Sequence, residues 1–109
     1  VAYDEGLAQR LREALGDLPD VVEKRMFGGL ACMWRGNMLV GVMGDDLIAR
    51  VGPDGMADAL KQPGARVFDF TGRPMKGWVV VAGEAVGEDA DLADWIDRAR
   101  DYVEPMPPK

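Results

Sequence analysis

The chain has 109 residues, 48% of them hydrophobic and 29% charged, with 13 basic against 19 acidic side chains and a formal net charge of −6. Surface scaling for this length gives about 6,000 Å² folded against about 17,000 Å² unfolded, which fits one domain with a real core and argues against disorder. The absence of histidine and the single cysteine, Cys32, exclude Ser-His-Asp and Cys-His nucleophilic sites, imidazole metal sites, an internal disulfide and a Cys-rich zinc site.

Residues 4–16 predict an amphipathic helix, because Leu7, Leu11 and Leu15 recur at helical spacing, Asp4 and Glu5 suit its N-terminus and Gly16 suits its stop. Strand-like runs follow at Val21–Met26, Leu30–Arg35, Met38–Met43 and Leu47–Val51. They are punctuated by Gly28–Gly29, a Gly36–Asn37 hairpin signal and the turn Gly44–Asp45–Asp46, so the simplest reading is an antiparallel meander. Pro53 suits a first helical position, and residues 54–61 read as a short helix with Met56, Ala57 and Leu60 inward. Two further strands, Arg66–Phe70 and Trp78–Ala82, flank a Gly/Pro-rich loop. The closing helix spans 89–103, with Leu92, Trp95, Ile96, Ala99 and Val103 as its buried stripe. A single domain over 1–104 is expected, and the Pro-rich residues 105–109 read as a frayed, extended tail. The fold class is α+β: two layers, an antiparallel sheet of about five to six strands and three helices in the order α-β4-α-β2-α.

Strands 30–35, 38–43 and 78–82 are apolar on both faces, while three short helices supply the only cover. If all three pack on one face, the other exposes an apolar patch that a second copy would bury, so a homodimer is expected. Met33, Leu39 and Met43 are the expected contributors, on the face opposite Leu30, Cys32 and Trp34, given a Gly36–Asn37 turn.

Two segments suggest binding. In the corner Lys24-Arg25-Met26-Phe27-Gly28-Gly29, the glycines permit close backbone approach and the cations offer a small anion site; the plain alternative is a hairpin corner with solvated charges. In the loop Phe70-Thr71-Gly72-Arg73-Pro74-Met75-Lys76-Gly77-Trp78, Arg73 and Lys76 beside aromatics suit an anionic ligand; the alternative is a connection whose bases face water. Cys32 reads as an inert core thiol and Asp45–Asp46 as a turn rather than a cation site. No nucleophile, base and orienting partner assemble, so no enzyme, cofactor or metal is expected.

The acidic balance gives no global field for phosphate, so nucleic-acid binding is expected to be weak or indirect and steeply salt-dependent, through Lys24, Arg25, Arg35, Arg50, Arg73 and Lys76 if they form one patch. The charged start and short apolar runs predict no signal peptide and no membrane span, and the lone thiol fits a cytoplasmic protein.

The segment Tyr3-Asp4-Glu5-Gly6-Leu7-Ala8, the Lys24-to-Leu30 corner with its Met-Phe-Gly-Gly, the Asp45-to-Val51 hairpin and strand, and the Phe70-to-Trp78 loop together resemble the N-terminal domain of the TfoX/Sxy competence-regulator family. The resemblance covers about residues 2–104 and implies a stand-alone N-terminal domain, a fold similar to secretion chaperones and frequent dimerisation. It also implies a non-enzymatic role in transcriptional regulation through protein contacts, with sensing of a small anionic ligand as the alternative. It assigns no catalytic residue.

Overall fold

Asp4 starts the first helix by accepting hydrogen bonds at Oδ1 from the backbone N–H groups of Gly6 (2.8 Å) and Leu7 (3.3 Å), donors that a helix N-terminus otherwise leaves unpaired. That helix is α1 (Glu5–Ala14), and Leu7, Ala8 and Leu11 are its buried residues. The computed structural model describes residues 4–16, 18–26, 29–69 and 76–108.

Four strands follow as a meander: β1 (Val21–Met26), β2 (Gly29–Trp34), β3 (Asn37–Met43) and β4 (Asp46–Arg50). A 3₁₀ turn at Pro53–Gly55 leads into α2 (Met56–Ala59), and then come β5 (Ala65–Val67), β6 (Trp78–Val81), a second 3₁₀ turn (Gly83–Val86) and α3 (Asp89–Val103). The sheet has six strands in the order β1-β2-β3-β4-β6-β5, every neighbour antiparallel. The last hairpin therefore enters with β6 inward and the three-residue β5 on the edge. This is the α+β architecture expected, with three helices, and its accessible surface of 6061 Å² matches the scaling for a single packed unit.

The β2–β3 reversal sits one residue earlier than the sequence signal. Arg35 (φ 54°) and Gly36 (φ 85°) are its central residues, and Asn37 already pairs with Trp34 as the first residue of β3. Two consecutive positive φ values match the twist that a two-residue hairpin needs. The ladder then slips between Cys32 and Met33: Met33 faces Met38, but Cys32 faces Val40, so Leu39 is the extra residue of a bulge. That slip puts Leu39 among the helix-side core residues.

The main core lies between the sheet and the helices. Leu7, Leu11 and Leu15 of the first helical segment meet Leu30, Cys32, Val40, Val42, Leu47 and Val79, and α3 adds Leu92, Trp95, Ile96, Ala99 and Val103. The α3 stripe is the one that helical periodicity predicts. In α2 the expectation fails in part: Ala59 is buried and Met56 packs partly against the core, but Ala57 and Leu60 are exposed, because the helix lasts a single turn.

Two residues of the tail expected to fray make contacts. Met106 packs against the main core and its N–H donates to the Val103 carbonyl at 2.9 Å, while Asn37 Nδ2 donates to the Pro107 carbonyl at 3.0 Å.

Candidate interaction surface

All three helices contribute to the helix-side core, and among the described residues none contributes to the cluster on the opposite face. Ladder pairing lays Lys24, Ala31, Gly41, Ile48, Val80 and Arg66 in one row across that open face. Beside it lie Met33, Met38, Met43, Phe68 and Trp78. Successive strand residues alternate sides, so the nearly unbroken apolar runs of β2, β3 and β6 furnish both faces.

The open face is less bare than the sequence suggests. Ala31, Met38, Ile48, Phe68 and Val80 are buried there as a small second core, and Met33, Met43 and Trp78 pack half-buried around it. The Met38 methyl lies over Gly41, filling the space a side chain would take. Among the described residues the exposed large hydrophobics are Val22 and Leu60, so the broad patch expected shrinks to a soft rim of two methionines and a tryptophan.

One end of the sheet gathers cations over aromatic rings. The Arg35 guanidinium carbon is 4.5 Å from the Trp34 ring centre, and that of Arg100 is 6.0 Å from the same ring. Arg50 is 5.2 Å from the Trp78 ring and 5.6 Å from that of Tyr102. Arg35 in the β2–β3 turn, Arg50 ending β4 opposite Trp78, and exposed Lys76 leading into β6 all lie at this end of the sheet, with Trp34 on its helix side and Trp78 on the other face. Stacking on a ring holds each guanidinium in a fixed orientation while its edge stays available to acceptors.

The residues singled out in the sequence do not converge. Lys24 and Arg25 are both exposed on β1 but, as neighbours in a strand, point to opposite faces and cannot close on one anion. Phe27 and Gly28 lie outside the described residues, as does Arg73. Gly29 is buried opposite Met26, and a side chain there would run into the Val42 carbonyl, so its role is close strand packing. Lys76 and Trp78 are at β6, three strands in between, which at 4.8 Å spacing is about 19 Å from β1. Met33 and Met43 lie on the open face as expected, and Leu39 does not: the bulge turns it into the main core, where it is fully buried. Asn37, opposite Trp34, and Arg100, over its ring, carried no sequence signal beyond an ordinary turn and an ordinary helix charge.

Other chemistry is spoken for. A groove of about 580 Å³ is lined by Asp4, Asp45, Asp46 and Glu84 against Arg10, a charge balance that repels anions. Among the described residues no three carboxylate or thiol groups are placed to hold a metal ion. Burial, then the nearby Glu23 carboxylate, pushes the Cys32 thiol up to about 11 against a smaller opposing effect of Arg12, which makes it a poor nucleophile at neutral pH. The hydrogen bond from Arg98 holds the Asp58 carboxyl below its ordinary range, and Arg98 links Asp58 of α2 (2.6 Å) to Asp94 of α3 (3.1 Å). No helix among the described residues is long and apolar enough to cross a membrane.

Among curated proteins and among solved structures nothing matches the chain. The family model of the TfoX N-terminal domain matches residues 13–102, which takes in the end of α1, the whole described sheet and nearly all of α3. With most of its 109 residues inside that match, the chain belongs to the TfoX N-terminal domain family, a regulatory type of domain.

Proposed function

We propose that this chain is a non-enzymatic interaction domain that acts in transcriptional regulation through protein contacts made by the open face of its sheet. The observation that carries the reading is the one-sided helix packing: among the described residues the helices pack on one face, and the other presents half-buried Met33, Met43 and Trp78 between Lys24 and Arg66. Methionine is unbranched and polarizable, so such a rim adapts to a partner's surface without a rigid pocket. The net charge of −6 favours protein over direct nucleic-acid contact in the cytoplasm. A second copy of the chain is the first partner this face suits, by two-fold pairing of the same rim. The test is affinity capture from cells with the intact chain and with Met33→Glu/Met43→Glu. The account expects transcription-related proteins with the first and their loss with the second; capture unchanged by the substitutions contradicts it.

A second reading rests on the arginine–aromatic end. Arg50 stacked on Trp78, with exposed Lys76 two residues before that ring in the chain, suits an anionic small molecule. A ligand that binds only the folded state raises the unfolding temperature, so a thermal-shift screen of nucleotides and phosphorylated metabolites tests it. A shift that Arg50→Gln removes supports ligand sensing, and no shift at millimolar ligand ends it.

A further inference from the structure

Asn37 is the buried polar side chain of the described core, 2% exposed, and one of its two polar atoms is hydrogen-bonded. Its Nδ2 donates to the Pro107 carbonyl at 3.0 Å, while Oδ1 accepts from nothing. The same corner holds two more unspent buried groups. Trp34, directly opposite Asn37 in the β2–β3 ladder, has an Nε1–H without a partner, and so does the Nε–H of Arg100, whose guanidinium lies 6.0 Å from the Trp34 ring. Buried polar groups are nearly always paired, so three orphans around one contact mark a place built for something more than is there.

The chemistry of Asn37 says what is missing. Along one edge a carboxamide presents an N–H donor and a C=O acceptor side by side, the same pair that a residue in a strand presents to its hydrogen-bonded neighbour. An extended residue seated on it offers a C=O to Nδ2 and an N–H to Oδ1. Residue 107 supplies the C=O, but as proline it has no N–H to give, and Pro108 has none either. The tail is thus an incomplete match for the group that holds it. Its grip is also shallow, since Pro105, Pro107 and Pro108 are exposed and Met106 is half-buried.

We propose that the Asn37 corner is a receptor for one residue of an extended main chain, that the tail's Pro107 occupies it as a weak placeholder, and that a partner protein's extended segment with any residue but proline at that position displaces the tail. The unspent Trp34 and Arg100 donors are available to a neighbouring carbonyl of the incoming segment. The inference rests on the interaction-domain reading only for the identity of the occupant. Asn37 pairs on the helix side of the sheet and not on the open face, so the two surfaces succeed or fail separately.

The test is an NMR titration of the full chain with two synthetic hexapeptides at millimolar concentration: the tail sequence Glu-Pro-Met-Pro-Pro-Lys, and the same with alanine at the place of Pro107. The alanine peptide is expected to shift the Asn37 side-chain amide resonances and to bind at least about fivefold tighter, the increment one added hydrogen bond supplies. Equal binding, or no movement of the Asn37 resonances with either peptide, overturns the proposal. An independent measurement uses the full chain itself. In Pro107→Ala the new amide is expected to exchange at least about fivefold more slowly than the new amide in Pro108→Ala, since the residue on Asn37 is the one whose carbonyl it already holds. Equal exchange at the two positions overturns it as well. Failure here leaves the affinity-capture result standing, and failure of the capture leaves these two readouts unchanged.

Discussion

Gly52 and Tyr102 fit together because residue 52 has no β-carbon: its φ is +81°, and the Tyr102 ring of α3 occupies the space a side chain would need. The same glycine donates its N–H to the Gly77 carbonyl at 3.0 Å, so the segment after β4 is clasped between α3 and the approach to β6. Gly52→Ala combines left-handed strain with a clash against a ring, and is expected to cost about 3 kcal/mol. Gly44 has a φ of +60° and open space around it, so Gly44→Ala carries the conformational part alone, about 1 kcal/mol. Urea midpoints of the two variants check the contrast; equal losses would mean that Tyr102 does not pack there.

The bulge in β3 gives the second prediction. Leu39 lies in the main core and Met33 on the open-face rim, although the two were expected to share a surface. Leu39→Ala is expected to destabilise by about 2–5 kcal/mol, and Met33→Ala by less than about 1 kcal/mol, since the half-buried side chain leaves no enclosed cavity. Chemical denaturation of both decides the register, and similar losses contradict it.

Cys32 gives the alkaline limb of stability. Folding raises its pKa to about 11 from an ordinary value near 9. The unfolded chain therefore loses this proton first as pH rises. The stabilisation is whole below pH 9 and is lost progressively towards pH 11, by about 2–3 kcal/mol at most. Stability measured from pH 8 to 11 is expected to fall less steeply in Cys32→Ala than in the parent. An identical slope would mean that the thiol titrates alike in both states.

Asp58 and Arg98 make a smaller, acid-side prediction. The Asp58 pKa is lowered in the folded chain, so its contribution is present above its ordinary range and disappears as pH falls through the lowered value. The contact ties α2 to α3 at the surface. Arg98→Gln is expected to speed amide exchange in α2 at neutral pH and low salt, with little change at 1 M salt. Exchange in α2 that is indifferent to the substitution would show that the single buried Ala59 holds this turn of helix by itself.

Light scattering at micromolar concentration reads the self-association of the open face. A mass about twice 11.9 kDa is expected, falling to 11.9 kDa for Met33→Glu/Met43→Glu. A parent mass of 11.9 kDa would exclude a second copy as the partner.

How much of this was legible in the sequence depends on how local each signal is. The α3 stripe follows from periodicity and the ends of α3 and β1 from the acidic, glycine and proline signals beside them, because that information lies within a few residues. The β2–β3 turn misled by one residue: Gly36–Asn37 is the better local candidate, yet Arg35 takes a positive φ that arginine seldom adopts. The bulge had no marker, since Met38, Leu39 and Val40 are all apolar and any of them could be the extra residue. The Lys24–Arg25 pair looked like a site because adjacency in sequence is not adjacency on a strand face. The docking of the tail depends on a buried amide 70 residues away, a contact that composition cannot express.

The most direct measurement is the transcript profile of cells carrying Met33→Glu/Met43→Glu in the chromosomal gene, set beside the parent and a deletion, with protein abundance checked. The account predicts that the double substitution reproduces the deletion's changes in transcript levels at undiminished protein abundance. A profile that follows the parent while the deletion changes it would contradict the open sheet face as the working surface, and a deletion that changes nothing would contradict the regulatory role itself.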